Sequence, residues 1–131
     1  MGLFDKIFNN SKNESGTKLP WKTLDSLEGL DAAIKRSFEV PVVLFKHSTR
    51  CSISSMALHR LERAWDFAEG QGPEMYYLDL IAFRPVSAAI AERLKVYHES
   101  PQLVLIKNGE AVYDASHSDI TMDELLEALQ Q

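Results

Sequence analysis

Cysteine is nearly absent: 131 residues contain one, Cys51. A lone thiol excludes an internal disulfide framework and suits a reducing compartment, so a cytoplasmic location is expected. No apolar run approaches the length needed to span a bilayer. No long basic run occurs, and the formal net charge is −5, so nucleic acid is not an expected partner. The four histidines are scattered at 47, 59, 98 and 117. Neither a C-x-x-C nor an H-x-x-x-H pairing appears, which argues against a structural zinc site. There is no internal repeat.

What is present is ordinary for a globular domain: 45% hydrophobic and 25% charged residues. A chain this long reads as one domain that buries a core without staples. The first residues place Leu3, Phe4, Ile7 and Phe8 on one side of a short amphipathic turn. They lack the basic, long apolar and cleavage regions of a signal peptide. Lys6 also breaks the myristoylation pattern, so stable membrane association is not expected. Asn9 to Lys18 is a polar run with almost nothing to bury. Residues 1–19 therefore read as a flexible segment, and 20–131 as the folded domain.

Within that domain the apolar pattern alternates between two periods. Trp21 to Leu24 reads as a short strand. Leu27, Leu30, Ile34 and Phe38 recur at helical spacing behind Ser26, a plausible cap. Pro41 to Phe45 is a short, continuously apolar run, as a strand buried on both faces requires. Ala57, Leu61, Ala64, Trp65 and Ala68 trace a helix face that ends before Gly70, Gly72 and Pro73. Met75 to Leu80 reads as a strand. Pro85 opens a helix carrying Val86, Ile90 and Leu94. Leu103 to Ile106 and Ala111 to Tyr113 flank Asn108-Gly109, a hairpin turn signal. Thr121 and Glu124 form a capping box ahead of Met122, Leu125, Leu126 and Leu129. The order β-α-β-α-β-α-β-β-α implies an α/β fold: a central mixed sheet flanked by helices. It is the element order of a thioredoxin-like fold.

Cys51 falls where that order turns from a buried strand into a helix. A helix start offers unpaired N–H groups and the positive end of a dipole, and both stabilise an anion. Disulfide exchange needs the thiolate, whereas a free thiol titrates near ~8.5. Arg50, His47 and Lys46 are close in sequence and add positive potential if they face the sulfur. The Cys51 pKa is therefore expected below the free value. Ser54 lies one turn on, with its hydroxyl or the N–H groups of Ile53 and Ser54 as candidate donors to the sulfur. Cys51-x-x-Ser54 resembles a dithiol motif with oxygen in place of the second sulfur. It can attack a disulfide but cannot close one within the chain. Ser100-Pro101 precedes an apolar strand, where a thioredoxin-like fold places a cis-proline. Backbone there would pair with an extended substrate. Buried free cysteines are often inert; the strand-to-helix placement is what favours chemistry here. Glu62, Asp66 and Glu69 read as a wet helix face, and Trp65 and Tyr97 as core or rim aromatics.

The strings Phe45-Lys46-His47-Ser48, Cys51-x-Ile53-Ser54 and His98-Glu99-Ser100-Pro101-Gln102 resemble the bacillithiol-system redox proteins. These form the YtxJ-type, monothiol bacilliredoxin-like family of the thioredoxin superfamily. The resemblance runs from about Trp21 to the end of the chain. It implies Cys51 as redox nucleophile, Ser54 in the resolving-cysteine position and Pro101 as the cis-proline. Arg50, Ser52, Ile53, Ser100 and Pro101 would contact substrate. The family commonly has Thr before the cysteine and Pro after it; here these are Arg50 and Ser52. The implied function is removal of a low-molecular-weight thiol, bacillithiol or similar, from S-thiolated cytosolic proteins. No bound cofactor is implied, the small thiol being a co-substrate and a second thiol or a reductase the regenerating partner. Two other readings compete: a non-catalytic thioredoxin-fold interaction or stress protein, and an iron–sulfur carrier.

Overall fold

The structure, a computed structural model, describes residues 19–131. The expectations for the first eighteen residues lie outside it. Leu19 is described and buried, one residue before the expected start of the domain.

Five strands form one sheet: β1 (Lys22–Thr23), β2 (Val42–His47), β3 (Glu74–Asp79), β4 (Gln102–Lys107) and β5 (Glu110–Ser116). Their spatial order is β1-β3-β2-β4-β5. β3 runs parallel to β1 and β2, whereas β4 runs antiparallel to β2 and β5. The helices are α1 (Leu27–Arg36), α2 (Ser52–Ala64), α3 (Arg84–Leu94) and α4 (Met122–Leu129). A 3-10 turn (His117–Asp119) precedes α4.

Side-chain alternation on β2 divides the interior in two. Val43 and Phe45 pack with Ala57 and Leu61 of α2 and Leu125 of α4. Val42 and Leu44 pack with Leu30 of α1 and Ile90 of α3 on the opposite face. Because successive strand residues point to opposite faces, a strand covered on both sides must be apolar throughout. Burying each such Leu or Val contributes roughly 1.5–3 kcal/mol. Among the described residues, no helix is long and apolar enough to cross a membrane.

Local signals act largely as the sequence implies. Ser26 accepts the Gly29 N–H at 2.9 Å, and Thr121 accepts that of Glu124 at 3.2 Å. Asn108 and Gly109 both adopt positive φ, 52° and 82°, the conformation a tight hairpin turn demands. Two helices end earlier than their apolar stripes. α1 stops at Arg36, and Phe38 is exposed. Ser37 instead turns to the hairpin: its carbonyl accepts the Asn108 N–H and its hydroxyl accepts that of Gly109. α2 stops at Ala64, leaving Ala64 and Ala68 exposed. Trp65 leaves the helix, is buried, and packs against Phe67 with ring centroids 4.8 Å apart. Leaving the helical path lets both rings reach the interior.

Candidate functional site

The C-terminal end of β2 carries the chain to Ser48, turns, and enters α2. The Cys51 N–H donates to the Ser48 carbonyl at 3.2 Å, closing the turn. Cys51 is the N-cap of α2, extended at φ −118° and ψ 121°, and its carbonyl accepts the Ser55 N–H. No side chain caps the first-turn amides, and no acidic residue occupies that turn. The positive end of the helix is therefore not neutralised by a carboxylate. Cys51 is a free thiol, half-buried.

Ser54 is fully buried, and its hydroxyl is committed elsewhere. It accepts the Ser48 N–H at 3.0 Å and lies 2.7 Å from His47 Nδ1 in hydrogen-bond contact. The hydroxyl thus ties the first turn of α2 back to the end of β2 and holds the Cys51 turn from behind. Arg50, Ser52 and Ile53 are exposed around the thiol. Ile53 forms a solvent-facing apolar rim there with Met56.

Lys46 and His47 part company because β2 is a strand. His47 shares the face of Phe45, and their rings stack at 6.1 Å. Burial lowers the His47 pKa, although Asp79 opposes the shift. Its ring is thereby biased to the neutral form and supplies little positive potential. Lys46 points to the α1–α3 face and is fully buried. Burial lowers its ammonium to about 8, partly opposed by Glu99. Its Nζ donates to His98 Nδ1 at 2.7 Å and to Gln102 Oε1 at 2.9 Å. Gln102 Nε2 in turn donates to the Tyr97 carbonyl. Lys46 is accordingly a latch between β2 and the loop ahead of β4, on the sheet face away from α2.

That loop ends in Ser100-Pro101, joined by a cis peptide bond. The antiparallel register pairs Lys46 with Gln102, so Pro101 lies beside His47, where the chain leaves for Cys51. Pro101 is buried, and its carbonyl accepts the His117 N–H at 3.2 Å. The Ser100 backbone makes no hydrogen bond among the described residues.

Other side chains sort simply. His59 is exposed on α2, and Tyr97 is 92% exposed, a rim residue rather than core. Glu62 does not lie on a purely wet face, since it accepts the Trp21 Nε1 proton at 2.9 Å. The Lys46–His98–Gln102 network is not apparent from sequence reasoning. The one signal for it is a lysine inside an apolar strand, since a buried amine needs acceptors.

Comparison with known proteins agrees with this architecture. Residues 22–125 match the model of the family described as monothiol bacilliredoxin BrxC. A solved structure described as a candidate oxidoreductase with a thioredoxin fold is 31% identical, with a TM-score of 0.71, covering 82% of this chain and 92% of that one. The Malassezia sympodialis thioredoxin Mala s 13 is 19% identical with a TM-score of 0.65, covering 88% of this chain and 92% of its own. The Fasciola hepatica thioredoxin is 18% identical with a TM-score of 0.64, covering 83% and 96%. These last two are similar in fold alone. A thioredoxin-like fold, a lone half-buried thiol at a helix start and a family match over most of the chain converge on a redox role: the chain belongs to the monothiol bacilliredoxin family.

Proposed function

We propose that the protein is a monothiol thiol–disulfide oxidoreductase that strips a low-molecular-weight thiol, bacillithiol or similar, from S-thiolated proteins. The Cys51 thiolate attacks the small thiol's sulfur in the mixed disulfide. That S–S bond breaks, the client sulfur leaves as a thiolate and takes a proton from water, and a Cys51–small-thiol disulfide forms. A second small-thiol thiolate then attacks the small-thiol sulfur of that adduct. It leaves as the symmetric disulfide and returns the electron pair to Cys51. A dithiol reductase would serve the same end. In the net exchange the client sulfur is reduced to a thiol, the second small thiol is oxidised into the symmetric disulfide, and Cys51 returns to its starting state.

The observation that carries this reading is Cys51 as the uncapped N-cap of α2 with no second sulfur in the chain able to form a disulfide. Uncapped first-turn amides and the positive end of the helix dipole lie at this position. The fixed hydroxyl of Ser54, in the resolving position, means that the adduct waits for an external thiol. The Ser100 backbone is free to pair with the arm of the substrate. Clients are expected to be cytosolic.

The test is release of a small thiol from a defined S-thiolated protein, followed by intact mass spectrometry. Wild type should release it and carry a transient adduct at Cys51. If Cys51→Ser released it equally fast, the proposal would be wrong.

A further inference from the structure

On the sheet face away from α2, a cleft of about 370 Å³ opens between the start of α3 and the loop before β4. Leu80, Ala88 and Ala91 give it an apolar floor, and Arg84, Ser87 and His98 supply its polar groups. All three present unused donors. Arg84, like Arg50 and Arg63, makes no hydrogen bond or ion pair among the described residues, and of these three it alone lines the cleft. Ser87 is 5% exposed, and its hydroxyl has no partner among the described residues. A buried hydroxyl without a partner is costly, so one in the lining of a cleft points to a ligand acceptor.

His98 is oriented by Lys46. An ammonium can only donate, so the His98 Nδ1 that it contacts at 2.7 Å must accept. The ring proton is therefore on Nε2. Burial and the adjacent Lys46 charge lower the His98 pKa, keeping this neutral tautomer at pH 7. Of the nearby carboxylates, Glu99 acts through its charge on both His98 and Lys46, opposing the lowering of each. Glu99 lies 3.5 Å from His117 Nε2. Asp79 accepts the N–H groups of Ile81 and Ala82.

The cleft also adjoins the thiol's edge of the sheet. The Leu80 N–H donates to the His47 carbonyl at 3.0 Å, and His98 is three residues before Pro101. We propose that this cleft is a carboxylate subsite, in which Arg84, Ser87 and the His98 Nε2–H hold a carboxylate borne by the small thiol exchanged at Cys51. The inference rests on the redox reading above. Three donors over a short apolar floor suit a carboxylate on a hydrocarbon arm; a cationic or purely apolar arm would leave them unpaired.

The test uses one reporter protein S-thiolated with ω-mercaptoalkanoates of increasing chain length, each compared with its uncharged amide. At the length that reaches the cleft, kcat/KM should favour the acid by about tenfold, the scale of a charge-assisted hydrogen-bond set. Arg84→Gln and Ser87→Ala should each collapse the ratio toward one, while Arg93→Gln, elsewhere on α3, keeps it. A ratio near one at every length overturns the subsite while the amide's turnover leaves the redox reading standing. Loss of the ratio in Arg50→Gln but not in Arg84→Gln also overturns it, since charge beside the thiol would then be the cause. If neither acid nor amide turns over, the redox reading fails, and with it the link to Cys51. Titrating the Cys51→Ser protein with succinate then decides the cleft alone. Amide shifts at Ser87, Ala88 and His98 support a carboxylate site, and their absence removes it.

Discussion

Lys46 makes the protein's stability depend on pH in a direction opposite to most surface lysines. Its ammonium is fully buried, with its pKa lowered from 10.5 to about 8, chiefly by burial. The unfolded chain binds that proton more tightly than the folded one. The cost of the buried charge is therefore complete below pH 8, shrinks as pH rises from 8, and vanishes above 10.5. At about 1.36 kcal/mol per pH unit the full cost is about 3 kcal/mol, of which about 2 kcal/mol is recovered between about pH 7.5 and 9.5. Tyr76, Tyr77 and Tyr113 work the other way, because burial raises their pKa values. They lower stability only as pH rises from about 10, beyond the range of the measurement. The assay is urea unfolding at half-unit steps from about pH 7.5 to 9.5, in a Cys51→Ser background so that thiol ionisation does not contribute. Stability should climb by about 2 kcal/mol. In Lys46→Met the climb should disappear, even if the variant is less stable throughout because His98 and Gln102 lose their donor. A flat wild-type profile, or an equal climb in Lys46→Met, would refute the buried-cation argument.

Other outcomes follow from the same contacts. Ser54→Ala should cost about 1–3 kcal/mol in chemical denaturation, because the buried His47 Nδ1 and the half-buried Ser48 N–H lose their partner; a change near zero would show that hydroxyl to be dispensable. Imidazole ¹⁵N spectra at pH 7 should find His98 neutral with its proton on Nε2, and Lys46→Met should let the two tautomers mix. A protonated ring, or an Nδ1–H tautomer in wild type, would contradict the geometry.

Much of this molecule is legible in its amino-acid pattern. The doubly buried strand at Val42–Leu44 and the Asn108-Gly109 hairpin follow from period and turn chemistry alone, because each depends on neighbours in sequence. Helix ends are less legible. The apolar stripes continue through Phe38 and toward Ala68, yet α1 and α2 stop early. Ser37 finds partners at the distant hairpin, and Trp65 finds the interior from an extended turn. Glu62 reads as solvated by its spacing, whereas the fold brings Trp21 to it from 41 residues away.

The chain order and the position of the thiol belong to the sequence: a lone Cys51 between a strand period and a helix period sits at a helix start, because periodicity is a local property. Which charges serve that thiol was decided in three dimensions. Lys46 and His47 are neighbours along the chain, but strand alternation sends them to opposite sides of the sheet. There the fold turns one into the latch of the Pro101 loop and the other into a neutral partner of Ser54. It also gathers Arg84, Ser87 and His98 into one cleft, since only the packing of α3 beside the β4 loop brings residues so spaced to a common opening.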